Sequence, residues 1–214
     1  MEKKRHKAGQ DPAKRDQILD GAMRVFMERG FDAASMNDIC RAAGVSKGTV
    51  YVYFAGKEDL FEALIEQERD RLFLGIEAIL EAEGPTAEKL ARYGRRIAEI
   101  ICSDQVIRAQ RIIIATTERM PELGARFYDS GAERAHGAVR RFLEREVTAG
   151  RMRVPDVALA AHQFAELCTA GLWRKRLFGK ARTVPRPAEI DACVDGAVAM
   201  FLNSYGFSAA KAAS

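Results

Sequence analysis

Apolar residues return at three- and four-residue intervals along most of the chain, and no stretch sustains the alternation of a strand. The pattern predicts an all-α protein. Between 13 and 29, Ile18, Ala22, Val25 and Phe26 keep helical register until Gly30. Met36, Ile39, Cys40 and Ala43 form a second stripe behind Ser35, whose S-x-x-D relation to Asp38 is a helix-start pattern. Gly44 can adopt the left-handed conformation that ends such a helix, and Val45 plugs the turn. Ser46 then caps a third helix in which Val50 and Phe54 point inward. Longer helices are expected over 57–83, broken at Gly84-Pro85, and over 86–102, 104–119 and 122–149, with Pro121 enforcing a stop or kink and Gly150 closing the last. Residues 156–178 carry Leu159, Phe164, Leu167, Leu172 and Phe178. After the link ARTVPRP, residues 188–205 carry Ile190, Cys193, Val194, Ala197, Val198, Phe201, Leu202 and Tyr205, an almost unbroken stripe.

The third helix has two distinct faces. Lys47 and Tyr51 are four apart, as are Thr49 and Tyr53, and both pairs lie off the core face. Gly48 between them lets the backbone approach another surface. Exposed aromatics beside a lysine are poor solubilising choices, but they suit phosphates and base edges. Lys57 opens the next helix, where its amine and free backbone N–H groups suit a phosphate. The spacing alone is shared with any helical hairpin joined by a glycine turn.

The stretch from about Arg15 to Leu64, containing ILDGAMRVFMERGFDAASMNDICRAAGVS, KGTVYVYF and KEDLF, resembles the TetR-family transcriptional regulators. The likeness covers about a quarter of the chain. It implies an N-terminal three-helix helix-turn-helix DNA-binding domain and a larger C-terminal helical effector-binding and dimerisation domain. Lys47, Gly48, Thr49, Tyr51 and Tyr53 match the family's recognition helix, which Ser46 caps. Ser35 and Asn37 match its first-turn phosphate contacts, and Lys57 matches the lysine that opens helix four. Ala34 stands where threonine is usual, and Gly56 replaces the usual polar cap of the fourth helix. These departures put one phosphate contact and one cap in doubt.

Composition refines this picture. The chain has 214 residues, 48% of them hydrophobic, enough to bury a core. Residues 1–57 hold 11 Lys and Arg against 7 Asp and Glu, whereas the rest holds 23 of each. The whole net charge of +4 therefore sits with the two-helix unit, as a polyanion footprint or a solvated basic tail would give. Lys3, Lys4, Arg5 and Lys7 supply most of it, as an arm reaching a minor groove or a solubilising terminus. The expected organisation is a disordered arm (1–12), a DNA-binding domain (13–57), a helical body (58–205) and a flexible tail (206–214). No run reaches the length of a membrane span and the start is polar, so a cytoplasmic protein without membrane contact is expected. Cys40, Cys102, Cys168 and Cys193 are scattered in helical patterns and read as small buried hydrophobes.

Polar groups interrupt the apolar middle helices. Arg111, Tyr128, His162, Phe164 and Trp173 are the candidate lining of an effector pocket, although core packing explains each one singly. His162 and Glu166 have metal-ligand spacing but lack a third ligand, so no metal and no cofactor is expected. The resemblance also implies a homodimer through 156–178 and 188–205, which suits a palindromic double-stranded operator. The leading function is a repressor released by a small-molecule effector. An activator, an effector-independent regulator or a protein-binding adaptor on the same scaffold stay open. No nucleophile elbow, zinc motif or phosphate loop points to an enzyme; the segment from Gly44 to Thr49 lacks a phosphate loop's spacing.

Overall fold

The computed structural model describes residues 9–206, so the basic cluster at 3–7 and the tail from 207 lie outside the described residues. Within them the chain forms helices α1 (Pro12–Ala33), α2 (Met36–Ala43), α3 (Lys47–Tyr53), α4 (Lys57–Phe73), α5 (Ile76–Glu81) and α6 (Thr86–Ile101). They are followed by α7 (Asp104–Thr117), α8 (Pro121–Thr148), α9 (Val157–Cys168), α10 (Trp173–Leu177) and α11 (Pro187–Tyr205). Extended backbone pairs among these residues only as an isolated bridge between Met152 and Gly206.

Two compact units divide the chain, one running through Arg71 and including Arg111–Phe127, the other comprising Leu72–Gln110 and the residues from Tyr128 onward. This division differs from the boundary expected at residue 57. The reason is apolar: Leu60, Phe61 and Leu64 of α4, with Ile113 and Leu123, join the core of Ile18, Phe26, Ile39 and Val50. The core of the second unit gathers Tyr93, Phe142, Phe164 and Phe201 from α6, α8, α9 and α11.

Two expected helices are interrupted. The helix predicted over 57–83 stops at Phe73 and restarts at Ile76 because Gly75 adopts φ 73°. The helix predicted over 156–178 becomes α9 and α10, with Gly171 at φ 71° between them. In both places glycine relieves the steric penalty of a left-handed residue within a continuing apolar pattern. The break expected at Pro121 is present: α7 stops at Thr117, and Pro121 takes the first position of α8.

A third difference concerns α11. Ile190, Val194, Ala197, Val198 and Phe201, most of the stripe assigned to a partner interface, are buried in the chain's own second unit. The outward face of α11 instead carries Ala192, Gly196, Ala199 and Met200. Near it in sequence order, α9 exposes Leu159, His162 and Gln163.

Candidate nucleic-acid interface

The first unit positions α3 through a chain of caps. Asp11 accepts from the amides of Ala13 and Lys14 and starts α1. Ser35 caps α2, its Oγ accepting from the Asp38 amide at 3.2 Å and donating to the Asp38 carboxylate at 2.6 Å. That hydroxyl holds the Asp38 carboxyl below the usual carboxylate range, with Arg29 and Arg41 adding favourable charge against the cost of burial. Gly44 ends α2 at φ 65°, and the amides of Gly44 and Val45 return to the carbonyls of Arg41 and Cys40. The remaining carbonyls of α2 are met from α1: Gln17 donates to Ala43 O at 2.7 Å and Arg24 donates to Ala42 O.

Ser46 caps α3, accepting from the Thr49 amide at 3.1 Å with the Thr49 hydroxyl 2.8 Å from its own. Each such cap contributes about 1 kcal/mol. Val50 and Phe54 are buried against Ile39 and Cys40, which sets the opposite side of this short helix outward. Lys47 and Gly48 are exposed, and Tyr51 is 47% exposed with the Lys47 ammonium 5.8 Å from its ring centroid. Thr49 and Tyr53 are half-buried, Tyr53 resting on the core of the unit. Asn37, at the second position of α2, is exposed. The first turn of α3 carries no acidic residue. Together these features leave a cationic, aromatic and hydroxyl-bearing strip with one bare stretch of backbone at Gly48.

The Lys57 ammonium donates to the carbonyls of Phe31 at 2.8 Å, Ala34 at 3.2 Å and Asp32 at 3.4 Å, and lies 4.4 Å from the Phe31 ring centroid. An ammonium has three donors, so this side chain ties the start of α4 to the α1–α2 loop. Ahead of α4, Asp59 reaches back to accept from the Ala55 amide at 2.8 Å, which fixes the turn through Gly56. Val52, which sequence reasoning passed over, stands 52% exposed on α3, and Gly9 packs against its backbone. An apolar residue on the outward half of a short polar helix was the available signal.

Comparison with known proteins decides the family. Residues 18–64 match the model of bacterial regulatory proteins of the tetR family, and residues 88–207, more than half of the chain, match the C-terminal domain of AefR-like transcriptional repressors. The chain is a TetR-family transcriptional regulator. The regulator UidR of Escherichia coli K12 is 44% identical over 57 residues, covering 27% of this chain and 29% of UidR. The repressor ComR of the same organism is 34% identical over 111 residues, 51% of this chain and 53% of ComR. The matches thus span between about a third and a half of these curated relatives. Solved structures align more fully. A protein assigned to the TetR regulators of Mesorhizobium loti MAFF303099 superposes with a TM-score of 0.84 at 27% identity, covering 91% of this chain and 98% of its own. The flavonoid-responsive regulator FrrA superposes at 0.76 with 29% identity, covering 93% and 100%.

In this TetR-family regulator the five candidate effector residues stand in different surroundings. Arg111 belongs to the first unit and the other four to the second. Tyr128 is 63% exposed. Phe164 is fully buried and packs edge-on against Phe201 at 5.1 Å, so it is core. Trp173 donates from Nε1 to Gln110 at 2.8 Å. His162 is exposed with its ring 4.1 Å from that of His136, while Glu166 faces Arg174 at 3.7 Å. A recess of about 330 Å³ lies elsewhere in the second unit, lined by Leu80, Glu81, Lys89, Phe142, Arg145, Glu146 and Arg151. Sequence reasoning missed it. Its signal was a carboxylate, Glu146, continuing the buried stripe of Val139, Phe142 and Leu143, with Arg151 just past the Gly150 turn.

No helix among the described residues is long and apolar enough to cross a membrane. Of the cysteines, Cys40, Cys102 and Cys168 are buried as expected, but Cys193 is only half-buried.

Proposed function

We propose that this chain is a homodimeric repressor that reads a palindromic operator with α3 and leaves it when a small molecule binds the second unit. The observation carrying the reading is the outward strip of α3, where Lys47, Gly48 and Tyr51 stand exposed behind a capped and fully packed inner face. Lys47, Thr49, Tyr51 and Tyr53 supply cation, hydroxyl and ring contacts to base edges and phosphates, and Gly48 admits the backbone close to the duplex. Asn37 and the free amides at the start of α2 take a phosphate. Ser35 and Ser46 act as caps that hold those amides in place, and Lys57 acts by fixing the loop before α2.

A single head makes few contacts, so two heads are needed for useful affinity. The outward faces of α9 and α11 are the proposed dimer surface. Leu159 and Met200 are 51% and 60% exposed there, and Ala192, Gly196 and Ala199 leave room for close helix approach. Repression is supported by the match of the body to AefR-like repressor domains, and release by a ligand is supported by the likeness to FrrA, a flavonoid-responsive regulator.

Selection of bound fragments from random duplexes tests the reading. The expected outcome is an inverted repeat, retained less strongly as salt rises because phosphate contacts release counterions. Recovery of no shared sequence, or of one unrepeated half-site, would contradict it.

A further inference from the structure

The recess in the second unit has a distinctive charge arrangement. Leu80 and Glu81 end α5, Lys89 stands on the first turns of α6, Phe142, Arg145 and Glu146 lie on α8, and Arg151 follows it. Glu146 is nearly inaccessible and its carboxylate is fully engaged. It accepts from the Thr86 hydroxyl at 2.6 Å and from Arg151 at 2.9 Å (Nε) and 2.7 Å (Nη2). The Glu146 and Arg151 charges therefore cancel across a fixed bidentate pair.

Lys89 and Arg145 are different. Among the described residues neither has a carboxylate within ion-pair distance. Lys89 is half-buried, its ammonium 5.9 Å from the centroid of the Phe142 ring, and Arg145 is exposed. Beneath them Leu80 and Phe142 are buried apolar residues. On the rim, Glu81 is the remaining charge. Two open cations thus stand over an apolar floor against one exposed carboxylate, in a volume at the lower end of small-molecule sites.

We propose that this recess binds a small apolar monocarboxylate, an aromatic or short aliphatic acid, with its carboxylate between Lys89 and Arg145 and its body against Leu80 and Phe142. The ammonium and guanidinium supply charge-assisted hydrogen bonds, and the apolar floor takes the hydrocarbon part. Glu81 on the rim penalises a second negative charge, so dianions are excluded by repulsion rather than by size. This site is separate from the DNA-reading strip, and none of the five residues considered for the effector lines it.

The test titrates the full-length protein with benzoate by calorimetry, with benzamide and inorganic phosphate as comparators. Benzoate is expected to bind in the millimolar range or tighter, and benzamide and phosphate about tenfold or more weakly than it. Lys89→Met and Arg145→Gln are each expected to weaken benzoate about tenfold, and Lys89→Arg to keep most of the affinity. Arg145 is exposed, so its variant serves even if Lys89→Met disturbs folding. Equal benzoate affinity in parent and Arg145→Gln, no benzoate heat in the parent, or phosphate binding as tightly as benzoate would each overturn the proposal. Duplex retention, measured on the same samples, is expected to survive both substitutions, which separates failure of this site from failure of the DNA reading.

Discussion

Gly21 of α1 crosses Ala43 of α2 so closely that a Cβ added at Gly21 would stand 2.6 Å from the Ala43 Cβ and 2.7 Å from its Cα. The contact is with backbone, so no rotamer change relieves it. This crossing sets the angle of α2, and through Gly44 and Val45 the position of α3.

Gly21→Ala is therefore expected to destabilise the first unit despite the better helix propensity of alanine. Overpacking costs about 1–3 kcal/mol, and the propensity gain offsets at most about 1 kcal/mol. Chemical denaturation should show a lower midpoint together with loss of duplex retention. An unchanged midpoint would mean the two helices can separate freely.

Gly48→Ala makes the opposite case. The nearest atom to its added Cβ is the Ser46 Oγ at 3.9 Å, an ordinary contact, so the fold should be unharmed or slightly more stable. If α3 lies against a duplex, the added methyl should still weaken retention. A melting temperature at or above that of the parent, paired with weaker DNA binding, is the expected result. Retention equal to the parent would place Gly48 away from the nucleic acid.

Glu146 predicts the acid behaviour of the second unit. Hydrogen bonds from Arg151 and then Thr86 hold its carboxyl below the usual carboxylate range, outweighing the cost of burial. A lowered folded pKa means stability that is complete above the unfolded value and is lost as pH falls through the folded one. Unfolding midpoints measured from pH 7 downward should fall below about pH 4. Glu146→Gln should lower stability at pH 7 by about 1–2 kcal/mol, the low end for charge-assisted bonds because Arg151 is largely solvated. Its profile should also be flatter below that pH.

The thiols should differ in reactivity. Burial pushes Cys102 up to about 11 and Cys168 up to about 12, and both side chains are inaccessible. Cys193 is raised too, by burial, but it is half-exposed. Alkylation of the native protein followed by peptide mapping should label Cys193 well before Cys102 or Cys168, because attack requires an accessible thiolate. Faster labelling of Cys168 would indicate local opening between α9 and α11.

Helix periodicity and capping chemistry made the first unit legible in the sequence. Ser35, Gly44 and Ser46 act as their types and spacing imply, and the inward pair Val50 and Phe54 leaves α3 its outward strip. Long-range partners were not legible. Nothing local marks Lys57 for three carbonyls more than twenty residues away, or Gly21 for contact with α2. Glycine was misjudged in the body, where Gly75 and Gly171 break apolar runs whose periodicity continues across them. The stripe on α11 showed that one face is buried, but periodicity does not say against what, and here it is buried within the chain's own unit. The polar residues of the middle helices were hard to read for a related reason. A polar residue in an apolar helix marks an exception, and only the fold decides which exceptions meet.

The central claim is that the outward strip of α3 reads DNA. It is tested most directly by measuring specific retention of a selected operator by the parent, Lys47→Ala and Tyr51→Ala, with the mass of each species in solution determined alongside. Both side chains lie outside the core, so both variants should keep the parent's folding and oligomeric mass while losing specific retention. Each lost base or phosphate contact is worth about 1–3 kcal/mol per head, and a two-headed complex doubles it. Variants that bind the operator as the parent does would contradict the account.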